Sequence, residues 1–517
     1  MNMGAGKVRR EMSAKTEGAW IALVVFLFLV VNVVTAERYP FPFFDEVLYL
    51  DPAVNYVTGH GFTTVALGQG TTTFYSYNSP AYSALLIPWL KIFGMSLRSA
   101  RSINFLYMVA SIVLIWSGAK RMQLISPGRW RILLVVMLLC DYSIIFSYRV
   151  GRYDCLGILV MAVAFWSFSL KKRVFRLWAL AIAGAATPWA GLQLLPFEVV
   201  FAGTLVAFTA SRFWREIGAV TLGSVAGGIG LIWFFQIHGV LRNFLRFPVV
   251  YHVDLGQVLH FRTREAGFAT GLLQGQFHHS NVVPKDFSFA AMFLAAALLA
   301  FGLYRSRSLH VASALVFALV FAPMLSVTLI LLAKFPTYYG WMICIPVAIC
   351  TCGSLEQKVP GAIRNSAIGL CVLGCVLGIG LHALACARDW QDRDYSKIQR
   401  FVSSIVHADD WAYVVPQSYY PTKLLAAATF FGNPGTRMSS SQRSRVTVCI
   451  IGPDSNWVLK ELGGEWYSTG QEMIPARIGL FGNKSKWGVL SFSNYRLSVY
   501  RRVPRSWDDG SAAGIQP

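Results

Sequence analysis

Two adjacent acids, Asp45 and Glu46, follow the segment Pro40-Phe41-Pro42-Phe43-Phe44. A carboxylate held at the edge of an apolar phase can act as general base toward a hydroxyl. Prolines and aromatics suit a rigid strip along a membrane surface, which would fix such a group at one depth. Helix capping accounts for the same pattern more simply, with Asp45 as N-cap and Glu46 in the first turn. Neighbouring helical positions point about 100° apart, so the two acids cannot share one task in the same way. Tyr49, Asn55, Tyr56, His60, Tyr75, Tyr77 and Asn78 crowd the same stretch. Such aromatics and amides line sugar sites, and they line membrane interfaces equally well. Asp51-Pro52 is expected to restart a helix, with Pro52 at its first position.

Cationic chemistry gathers at two further places. Arg149, Arg152 and Asp154 share the short connection YRVGRYD. Three apart, the arginines would lie on one helical face and present a site for a phosphate, for which guanidinium forks are well shaped. An Arg152–Asp154 ion pair that closes the turn is the alternative. Lys334 ends an apolar run and is followed by Phe335-Pro336-Thr337-Tyr338-Tyr339. It either snorkels to the interface or adds a second phosphate contact. His278-His279 lacks a matched acid for a metal site. Asp141 and Glu198 lie in apolar surroundings and read as partners for neighbouring helices.

The elements that must position these residues are membrane helices. The 517-residue chain is 55% hydrophobic and only 14% charged. Runs of about 18–22 apolar residues are long enough to cross a ~30 Å hydrocarbon core. Eleven spans are expected: 18–36, 101–119, 131–148, 154–170, 177–195, 197–210, 218–236, 287–304, 309–333, 337–353 and 366–386. Pro80–Phe93 carries Pro88, is too short to span and reads as an interfacial helix or part of a split one. The net charge of +21 is not a nucleic-acid footprint, because it resides in alternate short loops. Loops at 7–17, 120–131, 171–176, 212–216, 305–307 and 356–364 hold 18 Lys and Arg against four acids, which marks the cytoplasmic side. The N-terminus is then inside, and the acid pair lies in the first outer loop, residues 37–99. Residues 1–387 form the membrane module. Residues 388–517 turn polar and alternate strand-like runs (411–415, 446–451, 489–492, 496–501) with a helical stretch near 422–430, a small extracytoplasmic α/β domain. Of nine cysteines, Cys449 alone falls in that tail, so the tail closes no disulfide of its own.

Asp45-Glu46-x-x-Tyr49, Gly59-His60-Gly61-Phe62, Ser79-Pro80-Ala81-Tyr82, Lys91-Ile92-Phe93-Gly94 and Arg98-Ser99-Ala100-Arg101 together resemble GT-C membrane glycosyltransferases of the protein O-mannosyltransferase and lipid A aminoarabinose transferase type. Arg149–Asp154 and Lys334–Tyr339 fit the same pattern, and the resemblance runs over about residues 18–386. Pro52 departs from it. The resemblance implies a GT-C-like fold and an enzyme that moves a sugar from a polyprenyl-phosphate donor to an acceptor on a glycan, lipid or protein, at the outer face of the membrane. The chain's length and the absence of organelle-retention signals point to a bacterial inner membrane, with the active face in the periplasm. The resemblance also implies Asp45 and Glu46 as catalytic residues. Arg149, Arg152, Lys334 and Tyr338 would contact the donor phosphate, and Tyr49, His60, Tyr75, Tyr82 and Asp154 the substrates. No cofactor is implied with certainty, a divalent cation being an option. A lipid-linked sugar transporter would instead place its ionisable residues near the midplane, often in paired halves. A non-catalytic assembly protein would not need acid and arginine sites on three separate loops.

Overall fold

A computed structural model of the chain describes residues 12–42, 44–65, 74–209, 213–246, 283–306, 340–452, 455–474 and 496–503. Most of it is helix. The helices introduced here are α1 (Ala14–Thr35), α2 (Phe44–Val57), α3 (Pro80–Phe93), α4 (Leu97–Arg121), α5 (Arg129–Cys140), α6 (Tyr142–Arg149), α7 (Asp154–Phe168), α8 (Arg173–Ala190), α9 (Leu194–Thr209), α10 (Trp214–Ile237), α11 (Val283–Arg305), α12 (Trp341–Ser354) and α13 (Gly361–Cys375). Among the described residues, four helical stretches are long and apolar enough to cross a membrane: Ala14–Thr35, Leu97–Arg121, Trp214–Ile237 and Gly361–Arg388. Their outward faces carry large apolar side chains, among them Phe26 at 61%, Leu222 at 72% and Trp233 at 65% exposure. In water such a surface is unfavourable. Against lipid tails it costs nothing. The chain is an integral membrane protein.

The expected spans and the observed helices agree where apolar length alone decides. They part where polar groups intervene. The run 131–148 is two helices, broken at Asp141, whose backbone turns extended (φ −68°, ψ 135°). Asp141 Oδ2 accepts from the Ser288 hydroxyl at 3.1 Å, and the Ile144 N–H points at Oδ1 from 3.4 Å. The run 366–386 contains a π-helical turn at Val376–Gly380 before a last helix, Leu381–Arg388. Pro52 does not start a helix; it sits inside α2. A proline there removes one backbone bond and costs about 3 kcal/mol, which the burial of ten of the fourteen α2 residues offsets. The expected span at 309–333 and the beginning of the next lie outside the described residues.

Past the last membrane helix, α14 (Tyr395–Ser403) leads into a five-stranded sheet. Its strands are β1 (Trp411–Val414), β2 (Ala428–Phe430), β3 (Val448–Ile451), β4 (Trp466–Met473) and β5 (Leu497–Arg502), in the order β2-β1-β3-β5-β4. β2, β1 and β3 run parallel, while β5 and β4 are antiparallel to their neighbours. The helical stretch near 422–430 is α15 (Tyr419–Leu425) followed by β2. β3, apolar and wholly buried, was legible in the sequence; β4 was not, because it is a mostly exposed edge strand. The run 489–492 lies outside the described residues. One continuous hydrophobic cluster extends from Ile21 through α2 and the membrane helices to Val499, so the sheet is packed onto the helical part.

Within the bundle, α8 and α10 cross closely along small residues. A Cβ on Gly223 or Gly227 would fall 2.1 Å from the Ala181 or Ala185 carbonyl oxygen. Gly227→Val is therefore expected to destabilise the chain by roughly 1–3 kcal/mol through overpacking. Thermal unfolding in detergent checks this, and an unchanged midpoint would contradict the close crossing.

Candidate functional site

The first turn of α2 separates its two acids. Glu46 is fully buried and Asp45 is 31% exposed. Glu46 accepts from Arg101 at both oxygens, Oε1 from Nε and Oε2 from Nη2, each at 2.7 Å. Arg101 Nη1 donates to the carbonyls of Ala36 and Pro40, again at 2.7 Å. The Gly151 N–H adds a third bond to Glu46, at 3.1 Å. Glycine is needed at 151, where a Cβ would lie 2.7 Å from Leu50 Cδ1 and 3.0 Å from Glu46 Cγ. The structure thus places Glu46 as the anchor of α2, with its carboxylate occupied by protein donors.

The two arginines of the connection do not share a face. α6 ends at Arg149, and residues 150–153 form a turn. Arg149 points back into the bundle, where Nη1 meets Asn32 Oδ1 at 2.8 Å, Nη2 meets the Thr35 carbonyl at 2.8 Å and Nε meets the Tyr39 carbonyl at 3.0 Å. It ties α6 to the end of α1. Arg152 turns the other way. Its Nη1 lies 3.1 Å from Asp45 Oδ2 and its Nε 3.0 Å from Asp154 Oδ2. The ion pair that closes the turn is therefore present, and the same guanidinium reaches the partly open Asp45. Its Cζ also lies 6.0 Å from the Tyr49 ring centre and 5.7 Å from that of Tyr153.

Aromatic residues frame this cluster. Tyr49 meets Tyr153 edge-on at 4.4 Å and Tyr77 at 6.0 Å. Burial raises the Tyr49 and Tyr75 hydroxyls well above their usual pKa of 10, so both stay protonated. The Tyr75 hydroxyl donates to the Asn78 carbonyl at 2.7 Å. Tyr82 is fully buried, within the packing between α3 and α4. Asn78 bridges segments, donating to the Tyr153 hydroxyl at 3.1 Å and to Gln193 Oε1 at 3.0 Å. His60 lies apart, exposed just beyond the far end of α2, with Nδ1 3.0 Å from the Thr58 hydroxyl. Its pKa is lowered by desolvation and by Lys423, so it is neutral at pH 7. Lys334, Tyr338, His278 and His279 lie outside the described residues.

Several residues at the site carried no clear sequence signal. Asp51 is fully buried. It accepts from the Tyr419 hydroxyl of α15 and from the Val65 N–H, the latter at 3.2 Å. Phe44 packs on Phe431, ring centres 5.9 Å apart. Arg101 alone had a signal, a cation at the edge of an apolar run. Beside the site, Tyr56, Phe62, Phe74, Leu85, Trp189 and Phe234 line an apolar groove of about 510 Å³. Glu198, in the bundle, accepts from Thr187 and Ser224 at 2.5 Å each, which makes it a helix–helix contact. Among the described residues no three His, Cys, Asp or Glu side chains are grouped to hold a metal ion.

A helical part with an acid-led helix after the first span, and a sheet packed on it, is a fold with a counterpart among solved structures. The solved structure of ArnT from Cupriavidus metallidurans, bound to undecaprenyl phosphate, aligns with a TM-score of 0.57 over 98% of this chain and 100% of that one, at 13% identity. An oligosaccharyltransferase from Archaeoglobus fulgidus, tethered to an acceptor peptide, aligns over 85% of this chain and 70% of that one at 10% identity. Its TM-score of 0.47 is too low to bear on the reading. No family profile and no curated protein sequence matches the chain.

Removing Arg101 leaves Glu46 as an unpaired buried charge. Arg101→Met is expected to cost about 3–5 kcal/mol, and Glu46→Leu combined with Arg101→Met to recover most of it. Denaturation in detergent micelles measures both. A single variant as stable as the wild type would refute the anchor.

Proposed function

We propose that this chain is a glycosyltransferase that moves a sugar from a polyprenyl-phosphate donor to an acceptor hydroxyl at the outer membrane face. The observation that carries the reading is the partly exposed Asp45 carboxylate, held 3.1 Å from the buried Arg152 on a helix that cannot turn. The GT-C fold supports it. The loop charge bias supports a cytoplasmic N-terminus, with the acid pair and residues 388–517 on the opposite side of the membrane.

The chemistry follows from the positions. An acceptor hydroxyl is a weak nucleophile. Asp45 takes its proton as the oxygen attacks the anomeric carbon. The new C–O bond forms as the bond from that carbon to the phosphate oxygen breaks, and the phosphate leaves with the electron pair on its lipid. Direct displacement inverts the anomeric centre. Arg152 stabilises the charge that develops on the leaving oxygen, and Asp154 fixes its guanidinium. Lys334 and Tyr338 are proposed from the sequence as further phosphate contacts. Tyr49, Tyr77 and Tyr153 form an aromatic wall suited to a sugar face, and the apolar groove suits a lipid chain. Glu46 positions α2.

Asp45→Asn keeps the side-chain shape and removes the base. It is expected to lower kcat by roughly 10²–10⁴-fold with little change in thermal stability, because Asp45 sits at the surface of its cluster. Transfer of labelled sugar from a polyprenyl-phosphate donor by purified protein measures this. Full activity in Asp45→Asn would remove the central claim.

A further inference from the structure

Among the described residues, the charges gathered around Asp45 leave room for a further cation in the reaction proposed. Asp45 and Asp154 flank Arg152 at 3.1 and 3.0 Å, a formal sum of −1 for the three groups. Arg101 is matched by Glu46, and Arg149 is spent on carbonyls and Asn32 deep in the bundle. A lipid phosphate that gains negative charge as it leaves would be repelled by a cluster of that sign.

The C-terminal sheet brings a cation to the same mouth. Arg437 ends the short turn Pro434–Arg437, just after β2, and is half-buried. Its Cζ stands 4.6 Å from the ring centre of Phe44, the residue before Asp45. Phe431 supports that ring from the same segment, and the Tyr413 hydroxyl pins the turn by donating to the Gly432 carbonyl. A guanidinium stacked on a ring keeps its donors in its own plane, which is the geometry that grips a phosphate. Asp45, Arg152 and Arg437 all act electrostatically on the Tyr77 hydroxyl.

From this juxtaposition we propose that Arg437 binds the phosphate of the lipid-linked donor, and that the C-terminal sheet thereby completes the transfer site. The proposal rests on the glycosyltransferase reading. The phosphate then meets two guanidinium groups, one from the membrane helices and one from the sheet.

The test is a titration of full-length protein in detergent with undecaprenyl phosphate and, separately, with undecaprenol, which lacks the anion. The wild type is expected to prefer the phosphate. Arg437→Met, which keeps the stem on Phe44, should weaken undecaprenyl phosphate binding by roughly tenfold or more and leave undecaprenol unchanged. Arg437→Lys should recover part of the loss. A wild-type preference that survives within about twofold in Arg437→Met overturns the role of Arg437 alone. A wild type that does not distinguish the two lipids overturns the phosphate site and this proposal with it. Inorganic phosphate at equal concentration should compete poorly; if it competes as well as the lipid, the lipid-linked assignment is overturned.

Discussion

Glu46 and Arg101 form the contact on which the rest of the site depends. Both side chains are wholly inaccessible, so neither charge has water as an alternative partner. A charge in such surroundings is tolerable only with its counter-charge and hydrogen bonds in place. Arg101 meets this by gathering the carbonyls of Ala36 and Pro40 as well as both Glu46 oxygens, and Glu46 by taking the Gly151 N–H. Four chain segments therefore converge on one ion pair: the end of α1, the start of α2, the start of α4 and the turn before α7. Displacing any of them would strand a charge or a buried donor. The pair fixes the rotation of α2 about its axis. Because Asp45 is offset from Glu46 by about 100°, the same pair fixes where Asp45 points.

Three arginines of the helical part have three different fates, set by what surrounds each. Arg101 is neutralised by one carboxylate. Arg149 has no acid among its hydrogen-bond partners and is satisfied by carbonyl oxygens and the Asn32 amide. Arg152 has two acids, one buried and one partly open. Only the third arrangement leaves a side chain that solvent or a substrate can approach, and that side chain is Asp45.

Much of this was legible in the sequence, and the limits have a physical origin. Apolar length alone reports membrane helices, so α1, α4, α7 and α10 fell close to their expected places. The 100° offset between helical neighbours foretold that Asp45 and Glu46 would differ. It could not tell which one faces inward, because that depends on Arg101, 55 positions along the chain. The shared face expected of Arg149 and Arg152 assumed helix through Val150-Gly151, where the chain instead turns to meet Glu46. Asp51, Tyr419 and Arg437 were silent for the same reason: each acquires its role from a partner hundreds of residues away. β4 was silent because an exposed edge strand has no buried face to impose alternation.

The placement of the C-terminal sheet follows from the geometry of α2. Phe44 and Asp51 are seven residues apart, two turns, and so lie on one face of the helix. Phe431 and Tyr419 of the sheet contact that face at both points. Glu46 lies about 200° around from Phe44 and is held by the bundle. A helix gripped on opposite sides can neither roll nor tilt without breaking a buried polar contact. Asp45 projects between the two grips. In the proposed transfer, a base that relied on the bundle alone could swing with the loop that follows α2. Held from both sides, Asp45 would be oriented before any substrate arrives, which would largely avoid reorganisation on binding, a main cost of acid–base catalysis in water.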